Sequence, residues 1–277
     1  MTLLYLLFYN ETMRKILFFD IDGTLTSEID GTIPSSTIHA IREARKNGHL
    51  MYINTGRCFQ NVENRFREIG FDGYICGCGT NIYANGKELF YQKQTHEMTM
   101  QILENAAKSG LDILLESKYE VCFDTSRPFT NPQAKELYLT FRDKHKYEMR
   151  TDLYAEDFFC DKFVIWFEDE TQLESFRKFS DSYFECIDRG GQFREFVPWG
   201  YSKATGIQFI LDFYKIPLSN AYVIGDSNND MPMLKAVPNS IAMGNAYPET
   251  LFNEVSYVTR KASENGIYHA LKHFEFI

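Results

Sequence analysis

The sequence predicts an α/β protein: a doubly wound parallel sheet with an inserted α+β domain. Three observations predict it. Short apolar runs at residues 16–19, 50–54 and 221–224 read as strands buried on both faces, the habit of parallel sheets. Helical periods separate them in a β-α-β-α-β order. From about Thr95 the pattern changes to hairpin-like strands with helices, and near Lys203 the parallel character returns. The 277 residues, 44% hydrophobic and 16% aromatic, suffice for one large or two smaller packed domains.

The first strand opens at Lys15 or Ile16, so residues 1–13 read as an extension, with Met13 the expected start of a shorter chain. Ser35-Ser36 are expected to cap a helix bearing Ile38, Ile41 and Ala44. Asn47-Gly48 stop it. After the strand at 50–54, Phe59, Val62, Phe66 and Ile69 fall on one face of a predicted helix that Gly70 ends. A third strand covers 73–76, and Asn85-Gly86 mark a hairpin turn.

Residues 92–197 are expected to form the inserted domain. Its predicted helices lie at 98–108, after Pro132, and after a Thr171 cap; its strands lie at 111–115, 120–123, 162–167, 183–187 and 193–197. The core then resumes, spanning 14–91 and 198–277 in all. Lys203 opens a helix with Ile207, Ile210, Leu211 and Tyr214 on one face. Strands follow at 221–224, 241–243 and 257–258, with helices after Pro248 and near Ile267.

A formal charge of −9 argues against general binding to nucleic acid or anionic membrane, which needs a basic footprint. No apolar segment reaches bilayer-spanning length, and the apolar opening lacks the basic lead-in and cleavage site of a signal peptide. The six cysteines form no zinc pattern and read as reduced thiols of a cytoplasmic protein.

The chemistry centres on Asp20 and Asp22, which end the first strand just before Gly23-Thr24. Ligands of open α/β sheets bind beyond the carboxyl ends of strands. Two carboxylates there call for a cation, and Mg²⁺ suits carboxylate, phosphate and water oxygens. One carboxylate can attack phosphorus. The other can protonate the leaving oxygen and then deprotonate water.

Three further clusters end core strands or open core helices. Thr55-Gly56 can offer a hydroxyl and an amide to phosphate oxygens. Lys203 supplies a point cation, and its place at a helix start predicts an anionic partner. Residues 225–230, Gly-Asp-Ser-Asn-Asn-Asp, bring acids to another strand end.

With these motifs in order, residues 14–277 resemble the haloacid dehalogenase superfamily, most closely its Cof-type branch with a large α+β cap. The carriers are Asp20-Ile21-Asp22-Gly23-Thr24, Thr55-Gly56-Arg57, Ser202-Lys203 and the run from Gly225 to Leu234. The resemblance implies a Rossmann-like core and Mg²⁺-dependent hydrolysis of phosphate monoesters. It implies Asp20 as nucleophile and Asp22 as general acid/base. The metal would be held by the Asp20 carboxylate, the Asp22 main-chain carbonyl and Asp226. Thr55, Gly56, Lys203 and Asn229 would surround the phosphate, with Arg57 and Asp230 in support. The chain departs from the branch at Cys78-Gly79-Thr80, often Asn-Gly-Ala, and at Ala204, often Gly.

The expected substrate is a small phosphorylated metabolite, with sugar phosphates favoured by the resemblance. Phosphoryl transfer between sugar positions is the rival within enzymes. A non-catalytic regulator is the rival outside them, but it predicts a missing acid, and none is missing. Trp166, Phe123, Arg127 and Arg194 are candidate contacts from the inserted domain, although aromatics of such a domain are more often core.

Overall fold

A computed structural model describes residues 14–145, 150 and 152–277. The expected extension at 1–13 lies outside the described residues. The chain divides into two compact units. The first runs to Gly56, then takes up Val62–Phe90 and Ser202–Ile277. The second comprises Arg57–Asn61 and Tyr91–Tyr201.

In chain order the first unit opens with β1 (Ile16–Phe19), α1 (Ser35–Lys46), β2 (Leu50–Asn54), α2 (Asn64–Arg67), β3 (Gly73–Cys76), β4 (Asn81–Ala84) and β5 (Lys87–Tyr91). The second carries α3 (His96–Lys108), β6 (Asp112–Glu116), β7 (Val121–Phe123), α4 (Pro132–His145), β8 (Lys162–Trp166), α5 (Glu170–Ser180), β9 (Phe184–Asp188) and β10 (Phe193–Pro198). The first unit resumes with α6 (Lys203–Tyr214), β11 (Ala221–Ser227), α7 (Met231–Ala236), β12 (Asn239–Tyr247), β13 (Tyr257–Val258) and α8 (Gly266–His273).

The first unit is built on an eight-stranded sheet ordered β13-β12-β11-β1-β2-β3-β4-β5. Neighbours from β13 to β3 are parallel, and β4 turns back antiparallel to β3. β1, β2 and the first part of β11 are buried, which explains their unbroken apolar runs. Phe18 lies level with Tyr52 on one side and Val223 on the other. This register sets the carboxyl ends of β1 and β11 side by side. Residues from the two ends of the chain therefore meet at one sheet edge, as the α/β reading requires.

The second unit holds a five-stranded sheet ordered β7-β6-β8-β10-β9, with every neighbouring pair antiparallel. Alternation divides its residues between two clusters. Ile113, Leu115, Phe163, Ile165 and Phe196 join Ile102 and Leu103 of α3 and Phe176 of α5. Leu114, Val164, Trp166 and Phe123 join Ala134 of α4. Phe123 and Trp166, candidate substrate contacts, are thus stacked core residues, 6.3 Å apart. Buried Lys162 bridges Glu116 and Glu195, the latter at 2.8 Å.

Four local expectations need correction. The helix expected across Phe59, Val62, Phe66 and Ile69 is broken: 59–61 form a 3₁₀ turn, and α2 begins only at Asn64. Extended Glu63 (φ −58°, ψ 151°) interrupts the helical path. Moreover, Arg57–Asn61 group with the second unit, which separates Phe59 from Val62 and Phe66. Ser35 and Ser36 lie inside α1, and Pro34 takes the cap position without a side-chain bond; its fixed φ ends the extended lead-in. Asp169, not Thr171, caps α5, because its carboxylate accepts from the Thr171 and Gln172 amides. The segment after Pro248 is 3₁₀ rather than α-helical.

Phe163 is fully buried, stacked on Phe196 at 5.0 Å and edge-on to Phe184 at 5.0 Å. Phe163→Ala is expected to destabilise the second unit by about 3–5 kcal/mol in denaturant unfolding. A loss below about 1 kcal/mol would contradict this reading of its core.

Candidate active site

Asp20 directly follows β1, is almost fully buried, and its amide donates to the Ile224 carbonyl of β11 (3.1 Å). Asp22, two residues on, is exposed. Gly23 turns the chain with φ +79°, and a Cβ there would overlap the Asp226 carboxylate. Glycine is thus required both by conformation and by close approach. Thr24 closes the loop, its hydroxyl donating to Asp226 Oδ1 at 3.1 Å.

Lys203 is the first residue of α6, set by a capping box in which Ser202 and Thr205 exchange hydrogen bonds. A cation there opposes the helix dipole. Two carboxylates compensate: buried Nζ reaches Asp20 Oδ1 and Asp230 Oδ1, each at 2.5 Å. The Lys203 carbonyl accepts from Asn54 Nδ2 of β2 (3.1 Å). Asp230 Oδ2 accepts the amides of Asp226 (2.9 Å) and Ser227 (3.2 Å). Both Asp230 oxygens are therefore engaged. It buttresses Lys203 and the end of β11.

The remaining predicted residues fall as follows. Thr55 is buried just beyond β2, its amide bonded to the Ile75 carbonyl (2.9 Å) and its carbonyl to the Cys78 amide (3.1 Å). Gly56 follows it, half-buried. Arg57 belongs to the second unit and donates to the Asn61 carbonyl at 3.2 Å. Asn229 is half-buried and accepts from the Ser227 hydroxyl. The sequence reading missed three positioning residues. Thr24 lay within a recognised motif. Asn54 lay at a strand end. Asn245, which joins the Gly23 carbonyl (2.8 Å) to the Ala262 amide (3.0 Å), carried no sequence signal.

Carboxylate oxygens of Asp20, Asp226 and Asp230 lie within 4.8 Å of one another. One lysine among three acids leaves excess negative charge. Burial, and then the charge of Asp230, push the Asp20 carboxyl up to about 7. Burial, followed by Asp20 and Asp230, pushes Asp226 up to about 8. Burial acts to lower the Lys203 pKa, but the two aspartates outweigh it and hold the ammonium above its ordinary value. Oδ2 of Asp20 and Oδ2 of Asp226 accept no hydrogen bond among the described residues. These all-oxygen donors fit a hard divalent cation. The carboxylates that converge are those of Asp20, Asp226 and Asp230; Asp22 was expected to offer only its main-chain carbonyl.

The family model of the haloacid dehalogenase-like hydrolases matches residues 17–271, and the chain belongs to that family. It is 29% identical over 261 residues to "Putative phosphatase YkrA" of Bacillus subtilis (strain 168), covering 93% of this chain and 96% of that one. It is 23% identical over 285 residues to the same organism's 5-amino-6-(5-phospho-D-ribitylamino)uracil phosphatase YitU, covering 95% and 98%. Among solved structures, the HAD subclass IIB sugar phosphatase BT4131 superposes with a TM-score of 0.80 at 27% identity, over 95% of this chain and 100% of that one.

The raised carboxylates make a stability prediction. Unfolded aspartates titrate near about 4, so between there and about 8 the metal-free native state holds protons that the unfolded chain has released. Its stability falls as pH rises through that window. A divalent cation relieves the repulsion and competes with protons. At a hundredfold excess over Kd it contributes about 2.7 kcal/mol, or about 5–10 °C in Tm for a protein of this size. Thermal melts with chelator and with Mg²⁺ should show a larger cation effect at pH 8.5 than at pH 6. Equal effects at both pH values would contradict it.

Proposed function

We propose that the chain is a Mg²⁺-dependent phosphatase that hydrolyses phosphate monoesters of small metabolites, sugar phosphates above all, through a phosphoryl-Asp20 intermediate. The carrying observation is the buried Asp20, held by Lys203 through one oxygen while the other accepts no hydrogen bond among the described residues. Family membership and relatives named as phosphatases of small phosphorylated compounds support the reading.

Asp20 and Asp226, with the Asp22 carbonyl, would hold Mg²⁺. Bound there, the ion offsets the charge of the carboxylates and of the incoming phosphate. Lys203 orients Asp20 and adds positive charge beside the phosphoryl oxygens. Thr55, Gly56 and Asn229 surround the phosphate. The free Asp20 oxygen attacks phosphorus as the P–O bond to the leaving group breaks. Asp22 gives its proton to the departing alkoxide. It then takes a proton from water, whose oxygen attacks phosphorus, breaks the bond to Asp20 and releases inorganic phosphate. The exposure of Asp22 suits a group that exchanges protons with the leaving group and water.

The second unit, 92–197 in the sequence reading, is the proposed cap and the source of selection among monoesters. It has the size of a domain in its own right. Closure over the site would exclude water and bulky substrates.

Asp20→Asn should fold normally and abolish turnover, while Asp22→Asn should lower kcat by roughly 10²–10⁴-fold. Turnover of a panel of phosphorylated metabolites tests both variants and the substrate class. Substantial metal-dependent turnover by Asp20→Asn would sink the nucleophile assignment. Phosphopeptides outperforming every hexose and pentose phosphate would overturn the substrate class.

A further inference from the structure

Within the first unit, a cavity of about 360 Å³ is lined by residues of β13, the following turn and α8. The chain carries −9 overall, yet this cavity is lined by Arg260, Lys272, His269 and His273, with Tyr257 and Thr259. Among the described residues no carboxylate lines it. Neither Arg260 nor Lys272 forms an ion pair among the described residues. A volume of this order suits a small ligand.

The walls are built rather than incidental. The Thr259 hydroxyl donates to the Gly266 carbonyl at 2.7 Å, tying the end of β13 to the start of α8. The Gly244 amide donates to the Arg260 carbonyl at 3.1 Å, and the Gly266 amide to that of Lys261 at 3.0 Å. A Cβ at Gly266 would overlap the Arg260 carbonyl, so only glycine permits this approach of helix to turn. The His273 ring lies flat on Tyr257, with centroids 4.0 Å apart and planes 6° apart. That stack fixes one wall.

Helix electrostatics account for part of the cluster only. Lys272 and His273 occupy the last turn of α8, where the dipole favours cations. Arg260 lies outside the helix, and His269 sits midway along it. Slight burial, and then the charges of Arg260 and Lys272, hold His269 below the ordinary imidazole pKa. After burial, the charges that act on His269 are both positive, from Arg260 and Lys272. An anion supplies the missing charge. Two guanidinium or ammonium donors flanked by imidazoles suit the several oxygens of a phosphate group.

We propose that the cavity between β13 and α8 is a binding site for a small phosphate-bearing anion, separate from the aspartate cluster. The chemistry is shared by free phosphate and by phosphate esters, and the test distinguishes them.

The full-length protein is titrated with inorganic phosphate, with glycerol phosphate and with sodium chloride at matched ionic strength, while the imidazole proton–carbon signals of its six histidines are followed by NMR. Saturable shifts confined to His269 and His273 are expected for at least one phosphate species. The double variant Arg260→Ala/Lys272→Ala should weaken that binding at least tenfold and leave turnover within twofold of the parent. Tighter binding of glycerol phosphate assigns the site to an ester, and tighter binding of phosphate assigns it to the free ion. The site is refuted by shifts that follow ionic strength alone, by shifts spread over all histidines, or by unchanged affinity in the double variant. Saturation by an acidic peptide but by neither phosphate species would replace the small anion with a protein partner and overturn the proposal.

Discussion

The buried ammonium of Lys203, held between Asp20 and Asp230, is the constraint on which the first unit depends. Burying one charge is costly, and burying three is tolerable only when geometry and hydrogen bonds satisfy all of them. Each satisfying group comes from a different part of the chain. Asp20 ends β1, Lys203 starts α6 after the whole second unit, and Asp230 follows β11. The parallel register of β1 with β11 pairs Phe19 with Ile224, so Asp20 emerges beside the end of β11, and the turn after that strand carries Asp230. The capping box of α6 sets the lysine. The Asp226 and Ser227 amides fix Asp230 from behind. The arrangement leaves net negative charge at the carboxyl ends of β1 and β11.

The elements most legible in the sequence are those whose burial is uniform. β1, β2 and β3 match their predicted ranges because strands covered on both faces read as unbroken apolar runs. Asp20 and Asp226 were legible for the complementary reason, since acids that end such apolar runs stand out against them and need a charged partner. The stretch 59–69 misled because Phe59, Val62, Phe66 and Ile69 keep a helical period although the backbone breaks at Glu63. Periodicity records which residues are buried and does not record which unit buries them. Ser35 and Thr171 show the same limit at finer scale: cap preference names the residue type, and the local backbone selects the position.

Contacts made by side chains distant in sequence were the least legible. Asn245 joins Gly23 to Ala262 from the middle of an ordinary strand. The basic cavity draws on Arg260 and on three residues of α8, a helix whose pattern reads simply as amphipathic. In the second unit the sheet was visible as a run of hairpin-like strands. The burial of Lys162 with its two glutamates was not. Substrate choice is correspondingly the part of the function furthest from the sequence.

The organising role of Lys203 is tested most directly by a double-mutant cycle of Lys203→Met and Asp230→Asn, read as unfolding free energy in denaturant. If the buried pair organises the unit, Lys203→Met leaves the Asp230 carboxylate without its cation, and Asp230→Asn leaves Lys203 with Asp20 alone. The cycle should then return a coupling of about 0.5–3 kcal/mol. Additivity within about 0.3–0.5 kcal/mol would show that the two groups act independently, and that the fold does not depend on their pairing.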